Sequence, residues 1–284
     1  MAFGSRRLHI IHRTGFRYAE VVEASFNEVR MTPATEGAQM LLNHTVDVRP
    51  AATVQSYRDY WGALVESFDV HVPHRILEVV AMSTVDTAAG AEPVPVAPWS
   101  AVLEPDLQDR YAEFLISSEY VDDAGTDPER EAVVEAMRTA PRPFDAARLA
   151  VDSVRDRLTY TPGVTDVSTT AAQAWQSQHG VCQDFSHLTL SLLRAVRIPA
   201  RYVSGYLHTE ESAQGQTVTG ESHAWLEYWD GGWHALDPTN DRMVGSAHVL
   251  VARGRDYADV PPLKGIYAGG QSEGLGVTVE ITQL

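Results

Sequence analysis

The sequence of 284 residues contains a single cysteine, Cys182. One thiol excludes a disulfide within the chain and a zinc site built from several thiolates. Basic residues are also scarce, with 22 Lys and Arg against 38 Asp and Glu and a formal net charge of −16. Because such a chain repels the phosphates of nucleic acids and of anionic membranes, we expect neither as a partner.

Long apolar runs, internal repeats and low-complexity tracts are absent as well. No stretch approaches the roughly 20 apolar residues that span a bilayer. His9, His12 and Arg13 interrupt the segment that would form the apolar centre of a secretion signal, so we expect a cytoplasmic protein. With 44% hydrophobic and 21% charged residues, the composition is that of a folded chain long enough for two domains.

The first part of the chain predicts an antiparallel β domain. Short β-prone runs at residues 8–12, 45–48 and 77–80 are separated by polar, proline or glycine breaks. Three prolines and a glycine between residues 88 and 98 suit a linker better than a helix or a central strand. We therefore expect a β-rich domain over residues 1–95 and a second domain over residues 96–284.

The second part of the chain changes to helical patterns and then returns to strands. One helix is expected from Pro128 with Asp127 as its N-cap, a second over residues 145–158, and a third from Cys182 to just before Pro199. A polar surface loop is expected over residues 211–220. The expected strands, which complete an α+β fold, cover residues 200–207, 222–229, 233–236, 248–252 and 276–281.

Cys182 stands at the predicted N-terminus of the third helix. The partial positive charge there lowers the pKa of a thiol and favours the nucleophilic thiolate. Gly180 permits a sharp turn, and Asp184 and Ser186 in the first turn can accept hydrogen bonds from free N–H groups. A buried structural cysteine is an equally ordinary reading of this segment, so the assignment depends on a partner imidazole and carboxylate.

His223 and Asp237 are the candidate partners, because they lie at the same end of a predicted β-hairpin. A three-residue loop at 230–232 sets Trp229 opposite Trp233 and places His223 and Asp237 on one face of the sheet. A two-residue turn at 231–232 would place them on opposite faces. The catalytic interpretation therefore predicts the longer loop or a bulge.

Three motifs in this order resemble the core of the transglutaminase-like superfamily, which is related to papain-type proteases. They are GVCQDFS at residues 180–186, SHAW at 222–225 and LDPT at 236–239, and the resemblance extends over residues 145–264. Motifs at 30–33, 57–62 and 73–74 resemble the N-terminal domain of the bacterial branch. The resemblance implies a papain-like core with Cys182 as nucleophile, His223 as general base and acid, and Asp237 as the residue that orients His223.

The function implied is attack on an amide or peptide carbonyl through a thioester, without a cofactor. We expect a protease or amidohydrolase acting on a peptide or protein, with an amine-accepting transglutaminase as the alternative. The chain has no calcium loop of the Asp-x-Asp-x-Asp-Gly type and no room for extra barrel domains, so the resemblance does not extend to calcium-activated cross-linking. A catalytically silent peptide-binding module is the rival from another class. The oligomeric state and the substrate are not indicated by any motif.

Other residues have weaker claims to a role. The second oxyanion donor beside the Cys182 N–H could come from Gln176, Gln178 or Trp175. The pairs His9/His12 and His71/His74 lack a third metal ligand, so we expect no metal site there. The aromatic residues of the hairpin either line a groove or pack the core, and we favour packing; they are Trp225, Tyr228, Trp229 and Trp233.

Overall fold

A computed structural model of the chain describes residues 4–88, 97–122, 127–208, 215–220, 222–269 and 271–284. The strands in this part of the chain are numbered in sequence order. They are β1 Arg6–Val22, β2 Ser25–Val29, β3 Gln39–Arg49, β4 Val54–Arg58, β5 Leu64–Val70, β6 His74–Thr87, β7 Thr159–Tyr160, β8 His179–Gly180, β9 Ala200–Leu207, β10 Thr217–Gly220, β11 His223–Trp229, β12 Trp233–Asp237, β13 Arg242–Met243, β14 His248–Gly254, β15 Leu263–Tyr267, β16 Ser272–Gly274 and β17 Thr278–Gln283.

The helices lie between β6 and β9 in sequence, with the short strands β7 and β8 among them. They are α1 Trp99–Val102, α2 Pro105–Arg110, α3 Pro128–Arg138, α4 Pro143–Arg157, α5 Ala171–Ser177 and α6 Cys182–Ala195, with 3₁₀ turns at Ala112–Phe114 and Tyr257–Asp259. The three predicted helices are confirmed as α3, α4 and α6, and the Asp127 side chain caps α3 by accepting from the Arg130 N–H at 2.9 Å. Within the described residues, no helix is long and apolar enough to cross a bilayer.

Three antiparallel sheets organise the molecule. The first has the order β10-β17-β1-β6-β3, with β16 also paired to β1. The second is β13-β12-β11-β9-β14 and carries the predicted hairpin, and the third is β15-β2-β5-β4. Together with the helices, these sheets confirm the predicted α+β class.

The C-terminal strands pair with strands from the start of the chain. β17 pairs with β1 from Leu8↔Gln283 to Arg13↔Thr278, and β15 pairs with β2. The boundary near residue 95 remains a prediction, and most of the expected linker, residues 89–96, lies outside the described residues. The pairing shows that residues 263–283 complete the N-terminal sheets although they follow the helices in sequence.

The polar segment before His223 differs from the prediction. Residues 211–214 lie outside the described part, but Thr217–Gly220, predicted as loop, forms β10 and pairs with β17. Thr217 and Thr282 join their hydroxyls at 2.8 Å across this ladder. The segment forms a strand because it pairs with β17, which lies far along the chain. The local polar composition gives no sign of that pairing.

Two clusters of buried side chains form the core. The larger joins α3, α4 and α6 to the second sheet and also includes Leu8, Ile10, Val279 and Ile281 from the first sheet. The smaller lies between the first and third sheets, around Phe68 and Leu77. Because the larger cluster draws on both ends of the chain, the first sheet is packed directly against the part that carries Cys182.

Candidate active site

Cys182 is the first residue of α6 and is only partly buried. The turn before it is fixed by Asp184, whose Oδ2 accepts from the Val181 N–H at 2.8 Å and from the Thr165 hydroxyl at 2.7 Å. A Cβ at Gly180 would lie 2.6 Å from the Asp184 Cβ, so only glycine fits there. Burial raises the pKa of Asp184, although these hydrogen bonds oppose the shift. The chain thus turns sharply and leaves the sulfur open at a helix N-terminus.

The rest of α6 is enclosed by protein. Every residue from Gln183 to Arg194 is buried. Near the helix end, the Arg194 guanidinium donates to the main-chain oxygens of Ile116 at 3.1 Å and Ala200 at 3.0 Å. These carbonyls belong to other segments of the chain. The arginine therefore fixes the end of the helix that begins at Cys182.

The β11–β12 hairpin has the three-residue loop that the catalytic interpretation requires. Trp229 pairs with Trp233 across residues 230–232, and the register continues to Leu226↔Leu236. His223 and Asp237 therefore share a face, and the His223 Nε2 lies 2.8 Å from the Asp237 Oδ2. The prediction that both side chains lie on the same face of the hairpin is confirmed.

The His223 ring is held between Asp237 and Cys182. Burial alone would lower the pKa of His223, but the hydrogen bonds to Asp237 and Cys182 and the charges on both groups raise it above 6.5. Since the Nε2 atom is bonded to Asp237, Nδ1 is the nitrogen left for the sulfur. The structure thus brings all three predicted residues together, in the order thiol, imidazole, carboxylate.

Asp237 is fully buried and receives five hydrogen bonds. Its Oδ2 lies 2.8 Å from the His223 Nε2, 2.9 Å from the Asn240 Nδ2 and 3.1 Å from the His248 Nε2. Its Oδ1 accepts from the N–H groups of Thr239 at 3.1 Å and Asn240 at 3.3 Å. Burial favours the neutral acid, but the hydrogen bonds and charges of the two histidines outweigh it and hold the pKa of Asp237 far below its usual range. The carboxylate stays ionised despite complete burial.

His248 is a site residue that the sequence reading did not identify. It begins β14 opposite Leu207, and its Nδ1 accepts from the Gly245 N–H at 3.3 Å. An Nδ1 that accepts carries no proton, so a neutral His248 has its proton on Nε2 and donates it to Asp237. No local motif marks this residue, because β14 reaches the site by pairing with β9 rather than with the hairpin.

His223, Asp237 and His248 also lie close enough to act as a set of metal ligands, with their donor atoms within 4.8 Å of one another. A metal on the His248 Nε2 would force the proton onto Nδ1, where the Gly245 N–H already donates. The separations of 2.8 and 3.1 Å from Asp237 are ordinary hydrogen-bond lengths. The donor set therefore fits a hydrogen-bonded carboxylate better than a metal centre.

The Trp225 indole covers the buried face of this cluster. It stacks on His223 with ring centroids 6.0 Å apart and meets His248 edge-on at 5.3 Å. Its ring occupies the space above Gly205, where a Cβ would lie 2.6 Å from the indole and 2.1 Å from the Val249 carbonyl oxygen. A low-polarity cover strengthens the electrostatic coupling between the imidazole and the carboxylate.

Two clefts open on Cys182 and His223. One, of about 430 Å³, lies beside β10 and β17. The other, of about 730 Å³, lies beside β1, the residues before β17 and the segment around Tyr257. Both include Val181, Cys182, Ser222 and His223, so the sulfur stands where they meet.

The candidates for a second oxyanion donor are not placed at these clefts. Gln176 and Gln178 are exposed, and Gln178 ends α5 in a left-handed conformation with φ of 61°. Trp175 is buried beneath the Arg157 guanidinium, 4.5 Å from the ring centroid. Among the described residues, none of the three lines either cleft.

The His9/His12 pair and Trp233 of the hairpin make structural contacts. The His12 Nδ1 lies 3.0 Å from the Tyr206 hydroxyl, and the His9 Nδ1 lies 3.4 Å from the Thr84 hydroxyl, so the two imidazoles do not converge. Trp233 packs edge-on against Tyr111 with centroids 5.1 Å apart. The packing favoured for the hairpin aromatic residues is confirmed for this ring.

The sequence matches two family models. The transglutaminase-like superfamily core matches residues 130–238, which include all three residues of the site. The bacterial transglutaminase-like N-terminal region matches residues 8–86. An uncharacterized protein of Mycobacterium leprae is 40% identical over 98% of this chain and 99% of its own length. An uncharacterized protein of Mycobacterium tuberculosis is 34% identical over 98% of this chain and 93% of its own length.

Two further similarities are to a solved structure and to a named enzyme. A crystal structure from Cytophaga hutchinsonii, provisionally assigned as a cysteine protease, has a TM-score of 0.77 and 21% identity, covering 100% of this chain and 92% of that one. A protein-glutamine gamma-glutamyltransferase of Pseudomonas aeruginosa is 32% identical over 31% of this chain and 14% of its own length. The chain belongs to the transglutaminase-like superfamily. Residues 8–86 form the N-terminal region found in bacterial transglutaminase-like proteins.

We predict that His248 acts as a positioning residue for Asp237. A hydrogen bond to a charged group is worth about 1.5–3 kcal/mol, so His248→Phe is expected to lower kcat about 10- to 100-fold with little change in KM. His248→Gln, which can still donate an N–H, is expected to retain most of the activity. The test is the pH–rate profile of both variants on the substrate class proposed below.

The sign of the pH effect follows from the low pKa of Asp237. Loss of one donor raises that pKa, so the acid limb of the profile is expected to move to higher pH in His248→Phe and to stay in place in His248→Gln. If both variants lose activity equally and the acid limb does not move in either, His248 only fills space.

Proposed function

We propose that this chain is a cysteine-dependent acyl-transfer enzyme that acts on amide or peptide carbonyls, with Cys182, His223 and Asp237 as its triad. The observation that carries the proposal is the arrangement at the meeting point of two clefts. A partly exposed thiol at a helix N-terminus lines the same clefts as an imidazole whose Nε2 is bonded to a buried carboxylate. This is the geometry that an activated sulfur nucleophile requires.

The reaction begins with attack of the Cys182 thiolate on the carbonyl carbon. A carbon–sulfur bond forms, and the main-chain N–H of Cys182 donates to the oxygen that becomes negative. When the carbon–nitrogen bond breaks, the His223 imidazolium gives its proton to the departing amine. In the second half, the neutral His223 takes a proton from water, and the resulting hydroxide attacks the thioester carbonyl and displaces the sulfur. The products are a carboxylic acid and the Cys182 thiolate beside the His223 imidazolium, the pair with which the cycle began.

Asp237 would keep His223 in the productive orientation through this cycle. The carboxylate bonds to Nε2 at 2.8 Å, which leaves Nδ1 directed to the sulfur and stabilises the imidazolium. Its burial keeps water from competing for this bond.

An amine can replace water in the second half, and the product would then be a new amide rather than an acid. The relative from Pseudomonas aeruginosa, described as a glutamyltransferase, favours this as the second candidate. We propose hydrolysis of a peptide or protein as the principal reaction because water needs no acceptor site. The formal charge of −16 supports the expectation that nucleic acids are not the substrate.

The experiment is mass-spectrometric trapping of the thioester on Cys182 after rapid acid quench of a peptide library. The expected result is a recurring acyl adduct on Cys182 that is absent in Cys182→Ala. Addition of a primary amine then separates the two candidates, because transfer yields an amine-bearing product and hydrolysis yields the acid. A chain that binds peptides but never carries an adduct at any quench time would instead be a binding module.

A further inference from the structure

The pocket of about 430 Å³ beside Cys182 has a wall of apolar side chains from β10 and β17, and its other lining residues include uncharged polar groups such as Thr219 and Asn240. Val218 of β10 pairs directly with Ile281 of β17, and Val279 lies two residues before Ile281, so these three share a face of the first sheet. Leu207 and Tyr160 also line the pocket. Its volume falls in the range of about 300–1,000 Å³ that is typical of small-ligand sites.

Charged groups are missing from this lining. Apart from His223, the described residues around the pocket include no Asp, Glu, Lys, Arg or second His. A cation that entered would lose hydration without gaining a carboxylate, and an anion would meet only His223, whose charge is already compensated by Asp237, so either charge is costly to bury here. The pocket on the other side of the sulfur differs, since Glu119 and Lys264 are among its lining residues.

We infer that the β10–β17 pocket is a specificity subsite that accepts an uncharged apolar group adjoining the scissile carbonyl. The inference rests on the proposed function, because it identifies the part of a substrate that binds next to the nucleophile. The substrate is therefore a peptide or acyl amide with an apolar side chain at this position. The rest of it extends across Cys182 into the larger cleft.

The inference also gives the β-rich part of the chain a role. Val218, Val279 and Ile281 belong to the first sheet, in which β1, β3 and β6 come from the N-terminal region. Val279 and Ile281 are buried and belong to the core, whereas Val218 is half-buried on an edge strand. Val218 is therefore the position at which the pocket can be altered with least effect on folding.

The test compares how fast three chloroacetamides alkylate Cys182. They are chloroacetamide itself, its N-isopentyl derivative and the matched acid made from γ-aminobutyrate. We expect the isopentyl probe to react about tenfold faster than the parent compound, as burial of a few methylene groups predicts, and the acid probe to react more slowly than the parent.

Two variants at Val218 sharpen the test. Val218→Thr keeps the size and lack of charge and is expected to retain at least part of the isopentyl preference. Val218→Lys supplies a cation, so the preference is expected to shift towards the acid probe. The rate with parent chloroacetamide serves as the control for a folded, reactive site in each variant.

The probe rates test the proposed function and the subsite inference separately. If parent chloroacetamide reacts with the wild-type protein no faster than with glutathione, the proposed function fails. If the parent reacts rapidly but the isopentyl and acid probes react at equal rates, the site is reactive and the subsite inference alone is overturned. An unchanged order of the probes in Val218→Lys would also contradict the placement of the apolar group against β10.

Discussion

Replacement of Asp237 by asparagine is expected to lower kcat/KM by about 10³–10⁴-fold, the scale of loss seen when the orienting carboxylate of a catalytic triad is replaced. An amide has one acceptor oxygen and an NH₂ group, so if the oxygen accepts from His223 and His248, the NH₂ group faces the N–H donors of Thr239 and Asn240. In the opposite orientation the NH₂ group faces both imidazoles. The ring of His223 would then reorient or change tautomer, and the imidazolium would lose its counter-charge. The measurement is kcat/KM on a substrate identified by thioester trapping.

Asp230 provides a matched control for this substitution. It is buried in the same hairpin, 1% exposed, and its Oδ1 accepts from the Ala97 N–H at 2.9 Å. Asp230→Asn makes the same chemical change away from the site and is expected to leave kcat near the wild-type value. Equal losses of activity in Asp237→Asn and Asp230→Asn, with equal losses of thermal stability, would show that the carboxylate at 237 serves only the fold.

The second large effect is expected at His223. His223→Gln removes the imidazole proposed to accept and return the proton at Cys182, so turnover should fall by about 10⁵-fold or more. Far-UV circular dichroism should remain unchanged, because a glutamine is of similar size. The rate of acyl-adduct formation, measured by rapid quench, reports the first half-reaction directly.

His234 is the control for this loss. It lies in the partner strand of the same hairpin, and its Nε2 lies 3.0 Å from the Asp230 carbonyl oxygen. His234→Gln is expected to keep activity within about threefold, as for a substitution that costs only one weak hydrogen bond. Wild-type turnover in His223→Gln would rule out the imidazole as acid and base.

The hairpin that carries His223 and Asp237 was predictable because its geometry is local. Strand residues alternate between faces, so the length of the loop at 230–232 alone decides whether the two side chains meet. The same holds for Cys182, whose place at a helix N-terminus follows from Gly180 and the apolar spacing that comes after it. Near neighbours in sequence determine each of these features.

His248 and the walls of the clefts depend on contacts between distant segments. His248 reaches Asp237 because β14 pairs with β9, and β10 forms because β17 returns from the end of the chain. Neither sheet order is encoded in the residues near the site. By contrast, α5 has a local signal in the sequence, because Thr170 caps it in a reciprocal arrangement with Gln173 three residues later.

In the proposed site the sulfur forms an ion pair with a buried imidazole, and the most direct test is the pH dependence of iodoacetamide alkylation of Cys182. The pKa of His223 is raised, so the imidazolium is fully present at low pH and is lost only as pH rises through that raised value. The predicted result is a rate that stays near its pH 8 value down to about pH 6, where an ordinary thiol of pKa about 8.5 has slowed roughly a hundredfold. In His223→Gln the plateau should disappear. A wild-type rate that falls tenfold per pH unit, and that is the same in His223→Gln, would contradict the pairing of this thiol with this imidazole.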